Sequence, residues 1–263
     1  MIPVNNSADV VVGQLNGQTV KSMENKEAVL EIKTDNVTYT LPASQINIDN
    51  VSQQIGEQIE LKDIKVNVTI SAPPLDTVKV VQDTANKNNY QVVVKPVEFN
   101  ITCSSENKTV EVSKFNGYVE RTVAIPDGID PSKITTGIVL NTDGTFSHVP
   151  TTIIVIDGKY YAKINSLTNS TDSVIYSPKT IKSVQNHWAK DAVNEMASRL
   201  VLFDPEKFQP DKAITRADFA EYIVRALGLY REGSIHENKF KDVSPTGDRY
   251  LAILIANEYG IVT

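Results

Sequence analysis

Along the first ~178 residues the apolar positions recur mainly with a period of two, as β-strands with one wet face require. Ile64, Val66, Val68 and Ile70 alternate with Lys65, Asn67 and Thr69. Segments 28–32 and 37–41 flank Thr34-Asp35-Asn36 and predict a hairpin. A clearer one joins 152–156 to 159–164 through Asp157-Gly158, a pair suited to the positive φ angles of a tight two-residue turn. Asp143-Gly144 predicts a second such turn, and a helix is expected within 43–55. Pro73-Pro74 and the polar run 83–89 punctuate the middle and leave two arrangements open. One is a pair of small β-units, 1–84 and 85–178, sandwich-like; the other is one α+β domain with a long surface loop.

After Pro178 the period changes. Trp188, Ala192, Val193, Met196 and Leu200 fall on one helical stripe, with Asn186 as the expected N-cap and Pro205 beyond the end. Thr215 opens a second helix, where its hydroxyl and the Asp218 carboxylate can form a capping box. Phe219, Ala220, Ile223, Val224 and Leu227 make that helix's apolar stripe, and Gly228 ends it. Phe240-Lys241-Asp242-Val243, then Tyr250, Leu251, Leu254, Ile255 and Tyr259, then Gly260-Ile261-Val262, repeat the opening of this unit. Ile181 and Val184 match Phe240 and Val243, and Trp188 matches Tyr250 to within one residue. The second copy stops after its first helix, so the chain is expected to be a piece of a longer protein. The start, Met1-Ile2-Pro3-Val4-Asn5, has no basic region followed by an apolar core, in keeping with that expectation.

Composition narrows the classes. A hydrophobic share of 41% over 263 residues supports folded cores and more than one unit. No apolar run reaches the ~20 residues of a membrane span. The net charge of −6 weighs against nucleic acid or an anionic membrane as partner. Cys103, the single cysteine, lies in an alternating run and reads as a half-buried strand residue. His148, His187 and His236 are scattered, without metal-ligand spacing, and neither a Gly-x-Ser-x-Gly elbow nor a phosphate loop occurs. No catalytic residue, metal or cofactor is therefore expected. Seven Asn-x-Ser/Thr sequons, at Asn5, Asn36, Asn50, Asn67, Asn100, Asn107 and Asn169, follow from a composition rich in those residues.

Three motifs at their observed spacing carry a family resemblance: Asn186-His187-Trp188-Ala189, Phe208-Gln209-Pro210-Asp211 and Ile214-Thr215-Arg216-Ala217-Asp218-Phe219-Ala220. Residues 181–263 resemble S-layer homology modules, with one module over 181–231 and a partial one over 239–263. The β-rich region 1–178 is more loosely similar to regions ahead of such modules in bacterial surface proteins and reads as a spacer. The resemblance implies a non-catalytic anchor at the cell surface or S-layer. It holds peptidoglycan-linked secondary cell-wall polysaccharide, often carrying pyruvylated sugars, and other surface-layer copies are further partners. A second reading is an accessory segment of a surface polysaccharide-degrading enzyme. Binding of carbohydrate or protein by the β-region is a third.

The resemblance points to Arg216, Trp188, Thr215 and Asp218 as ligand-binding residues. Arg216 offers a planar fork of donors to a carboxylate, at a helix start that itself favours anions. Trp188 is suited to stacking on a sugar ring, although its place on the stripe favours core packing. Asp218 can accept from sugar hydroxyls or simply cap its helix. His187 reads as a hydrogen-bonding residue at the helix start. One departure stands out: the family's Gly-Ile-Val-x-Gly turn reads Arg199-Leu200-Val201-Leu202-Phe203, without either glycine.

Overall fold

A computed structural model describes residues 2–3, 8–56, 59–106 and 108–263, the first two by backbone alone. The sequons at Asn5 and Asn107 fall outside the described residues. The class is α+β. In order, the elements are β1 (Ile2–Pro3), β2 (Val10–Asn16), α1 (Gly17–Glu24), β3 (Val29–Lys33), β4 (Val37–Pro42), α2 (Ile48–Ile55), β5 (Lys65–Ser71), α3 (Leu75–Lys87), β6 (Gln91–Ser105) and β7 (Lys108–Glu111). There follow β8 (Lys114–Ala124), β9 (Thr136–Leu140), β10 (Phe146–Val149), β11 (Thr151–Ile156), β12 (Lys159–Thr168), β13 (Thr171–Tyr176), α4 (Lys190–Ser198), α5 (Arg216–Ala226) and α6 (Tyr250–Glu258). Two compact units result: Met1–Lys79 with Val94–Ile129 and Thr151–Ser173, and Val80–Val93 with Asp130–Pro150 and Val174–Thr263.

The first unit contains a sheet of order β1-β3-β4-β8-β12-β11, antiparallel apart from β1 against β3. Strands β2, β5 and β6 belong to a second sheet, with β7 paired to β6. The two sheets face each other. The Tyr39 ring of β4 meets Phe99 of β6 at 5.0 Å, and a Cβ at Gly13 of β2 would stand 2.7 Å from Ile32 Cδ1 of β3. Ile64, Val66, Val68 and Ile70 are all buried, as their alternation predicts. Both hairpins form, and the tight turn has φ of 50° at Asp157 and 78° at Gly158. Cys103 is fully buried in β6, and burial pushes its thiol up to about 11.

Three helices occupy a region that reads as mostly strands and turns. The 43–55 expectation resolves into a short 3₁₀ turn at Ala43–Gln45 and α2. Asn16 caps α1 by accepting from Thr19 N at 2.8 Å, a signal missed in the sequence. The polar run 83–89 is a helix as far as Lys87, where a loop is expected. Its polar residues form the wet face of α3, whose inner face buries Val81 and Ala85. Asn89 closes the helix at φ 57°, and Tyr90 N donates to Ala85 O at 2.8 Å.

In the second unit β9 pairs with β10. Their connection spans 141–145 and is wider than the two-residue turn expected: Gly144 alone takes positive φ, and Asn141 N donates to Thr145 O at 2.8 Å. Helices α4 and α5 share a core of Ile181, Val184, Ala197 and Leu202 with Val193, Phe208 and Tyr222. Helices α5 and α6 meet through Ala220, Val224, Ala252, Ile255 and Ala256, where small residues allow close approach. Gly228 follows α5 at φ 65°, and a Cβ there would stand 2.6 Å from Pro150 Cδ.

The predicted stripes need correction. Helix α4 begins at Lys190, so Trp188 precedes it in a turn and is 91% exposed instead of packed on the stripe. Asn186 is likewise no cap. Ala189 holds that position, and its N–H donates to His187 Nδ1 at 3.2 Å. Phe219 on α5 and Leu227 at its C-cap are exposed, leaving Ala220 and Val224 as the buried part of the predicted stripe.

The repeat is visible in hydrogen bonds. Lys190 N donates to His187 O at 3.1 Å, and Tyr250 N to Gly247 O at 3.0 Å, so Trp188 aligns with Asp248 and not with Tyr250. Val201 N reaches Met196 O at 2.9 Å just as Ile261 N reaches Ala256 O at 2.8 Å. Leu200 (φ 61°) therefore stands where the second copy has Gly260 (φ 68°), and the turn holds left-handed backbone without glycine. Asp204, at φ 43°, takes the second glycine's place. A non-glycine residue there costs roughly 1–2 kcal/mol, and a β-branched one more. Leu200→Ile is expected to lower stability by about 1–2 kcal/mol, while Leu200→Gly is neutral or stabilising. Urea unfolding followed by circular dichroism distinguishes the two.

Candidate ligand-binding site

The loop from Phe208 to Ile214 delivers the chain to Thr215, whose extended backbone starts α5. Thr215 Oγ1 accepts from Asp218 N at 3.0 Å, and Asp218 Oδ2 accepts from Thr215 N at 3.2 Å, closing the capping box. Both side chains are thereby committed to the helix start. Asp218 Oδ1 also lies 3.3 Å from Arg249 Nε, at the entry of α6. Burial works to raise the Asp218 pKa, yet the Thr215 hydrogen bonds and the Arg249 charge outweigh it and hold the carboxyl below its usual range.

The capping box fixes Arg216 as the first helical residue, exposed, with its side chain along one wall of a cavity of about 350 Å³. Ala217 and Ala220 share that wall. Phe240, Asp242 and Val243 come from the Phe-Lys-Asp-Val opening of the second copy, and Val262-Thr263 follow α6. Arg216 Nη2 donates to Thr263 O at 3.4 Å, a long bond that a better acceptor can replace. The cavity thus offers a guanidinium, a carboxylate at Asp242 and an apolar floor. That combination suits a ring bearing both an acidic group and hydroxyls.

Of the four residues expected from sequence, Arg216 lines this cavity. Thr215 and Asp218 build the helix start beside it, and Trp188 lies outside the cavity, its ring 5.4 Å from that of His187. The second-copy residues Phe240, Asp242 and Val262 were legible as a repeat but not as a wall of the site. Among the described residues no group of His, Cys, Asp and Glu is arranged to hold a metal ion.

The S-layer homology domain family matches residues 179–220. These residues form an S-layer homology domain. The chain is also similar to an amylopullulanase of Thermoanaerobacterium thermosulfurigenes, 28% identical over 240 residues, covering 88% of the chain and 11% of that protein. An endo-1,4-β-xylanase A of Thermoanaerobacterium saccharolyticum is 33% identical over 99 residues, 36% of the chain and 8% of the xylanase. An exoglucanase of Acetivibrio thermocellus is 31% identical over 99 residues, 36% of the chain and 9% of the exoglucanase. The chain spans about a tenth of the length of these curated relatives.

The S-layer homology domain is a non-catalytic, wall-anchoring module, and domains of this kind bind cell-wall polysaccharide in general. It places the chain at the cell surface or cell wall. No helix among the described residues is long and apolar enough to cross a membrane. The domain includes α4, the 203–214 loop and the start of α5, so it carries Trp188, Thr215, Arg216 and Asp218. The opposite wall of the Arg216 cavity is built from residues beyond position 220.

Proposed function

We propose that this chain anchors a bacterial surface protein to the wall by gripping an anionic secondary cell-wall polysaccharide at the Arg216 cavity, without catalysis. The carrying observation is the guanidinium at the first turn of α5, facing a cavity of about 350 Å³. A guanidinium fork can take a carboxylate, such as that of a pyruvyl substituent, with two parallel hydrogen bonds. The free N–H groups of the helix start add to the same potential. Because the chain is net negative, recognition rests on this local geometry and not on bulk attraction. Thr215 and Asp218 hold Arg216 in place, and the exposed Trp188 offers a flat apolar face to a further sugar ring. In this reading 181–231 is one module, 239–263 is part of a second, and 1–178 is a β-rich spacer.

The anchor also fits a role as accessory segment of a surface polysaccharide-degrading enzyme, with the catalytic part elsewhere. The amylopullulanase, xylanase and exoglucanase among the relatives favour that setting.

Co-sedimentation of the full chain with bacterial wall sacculi tests the function. Retention is expected on intact sacculi and loss of it after the secondary polymer is extracted. Equal retention on both preparations would sink polysaccharide binding.

A further inference from the structure

Helix α5 has a second cavity on its other side, of about 340 Å³, which shares no lining residue with the Arg216 cavity. Its walls include the 203–214 loop, Tyr222 of α5 and Arg249 at the entry of α6. Phe203 and Tyr222 lie almost parallel in it, ring centroids 4.8 Å apart and planes 19° from each other. Arg249 covers the face of Phe203 that Tyr222 leaves open. Its guanidinium carbon sits 3.5 Å from the Phe203 centroid, while its Nε lies 2.8 Å from Glu221 Oε2 and 3.3 Å from Asp218 Oδ1. Glu221 is itself buried and bridged to Arg225 at 2.7 Å, so the whole clamp is fixed from behind.

The polar walls differ from this floor. Arg249 is neutralised by two carboxylates, and Lys207 lies 3.5 Å from Asp204. Lys212 also lines the cavity, and its ammonium makes no ion pair among the described residues. Gln209 supplies an amide on the same loop. The result is a stacked aromatic pair, hydroxyl-binding groups at Gln209 and Asp204, and a cation that makes no ion pair among the described residues.

We infer that this cavity is a second carbohydrate subsite, taking one acidic sugar residue with its ring near Phe203 and Tyr222 and its carboxylate on Lys212. The inference rests on the polysaccharide-binding reading for the kind of polymer concerned, but not on Arg216. Sugar C–H groups pack against the rim of the aromatic stack, and the exposed Lys212 ammonium on the cavity wall attracts a carboxylate. Two subsites on opposite sides of one helix allow a single polymer to bind twice, so that modest affinities multiply.

The test uses glucuronic acid as probe, titrated into the full chain and followed by amide NMR, with glucose as the uncharged comparison. Shifts are expected at Phe203, Gln209, Lys212 and Tyr222, stronger with glucuronic acid. Lys212→Ala is expected to weaken that binding about fivefold without changing Tm, because Lys212 is exposed and makes no ion pair among the described residues. Phe203→Leu, which keeps an apolar side chain but removes the ring, gives a second reading of the floor. Shifts confined to Arg216, Ala217 and Asp242 overturn the second subsite and leave the proposed function standing. Absence of any shift around Lys212 overturns it as well. Conversely, equal retention on intact and extracted sacculi together with glucuronate shifts at Lys212 overturns the proposed function and leaves the Lys212 subsite standing as a binder of acidic sugar.

Discussion

Arg121→Met is expected to cost about 3–5 kcal/mol of the first unit's stability. Arg121 lies on β8, fully buried between the two sheets. Its Nη1 pairs with Asp172 Oδ2 at 3.1 Å, and its Nη2 donates to Thr168 O at 2.7 Å. The guanidinium carbon also lies 4.7 Å from the Phe99 ring and 5.4 Å from the Tyr39 ring. Tyr39 in turn donates to Asn169 Oδ1 at 2.7 Å, and burial pushes its phenol up to about 12. Methionine fills much of the same volume, so the loss comes from leaving the Asp172 charge buried and uncompensated. The double variant Arg121→Met/Asp172→Leu should recover most of it, since replacing both ions by apolar groups is often neutral. Urea unfolding of the three proteins checks this. Equal destabilisation by the single and double changes would contradict it.

Acidification is the second large lever, and it acts on the other unit. His148 of β10 is buried, with Thr136 Oγ1 and His148 Nδ1 hydrogen-bonded at 2.6 Å. Burial first, then the charges of Arg199 and Arg231, lowers its pKa from 6.5 to about 4, while a backbone contact to Ala226 works the other way. A depressed histidine pKa means that the unfolded chain takes up the proton first. The stabilising contribution is therefore complete above pH 6.5 and is lost as pH falls from 6.5 towards 4. That lowering is worth about 3 kcal/mol. Denaturation midpoints measured between pH 7 and pH 4.5 should fall accordingly, and His148→Gln should flatten that part of the curve. A variant with the same slope as the native chain would remove His148 as the cause.

Strand alternation and turn chemistry were legible in the sequence because each is local. The 64–70 pattern and the Asp157-Gly158 turn require only neighbouring residues to agree, and both form as read. Helix α3 was obscured because its polar face reads as a loop when only composition is weighed, although Val81 and Ala85 stand at helical spacing. The Arg121–Asp172 pair was invisible for a different reason. It joins residues far apart in sequence, and a charged residue inside a strand pattern gives no hint of what faces it. In the candidate site, Thr215 and Asp218 were readable as a capping box, and Arg216 as the residue the box presents. Trp188 was misplaced because the helix starts two residues later than its apolar spacing suggests. The cavity walls at Phe240, Asp242, Val262 and Arg249 depend on how α6 packs on α5, which a motif read one copy at a time does not contain.

The grip of Arg216 on an acidic polymer is measured most directly by calorimetric titration. The full chain and its Arg216→Ala variant are compared against secondary polymer purified from bacterial wall, at one ionic strength. A charge-assisted fork to a carboxylate predicts at least about a tenfold weaker affinity for the variant, with Tm unchanged. Identical affinities for the two proteins would contradict the account.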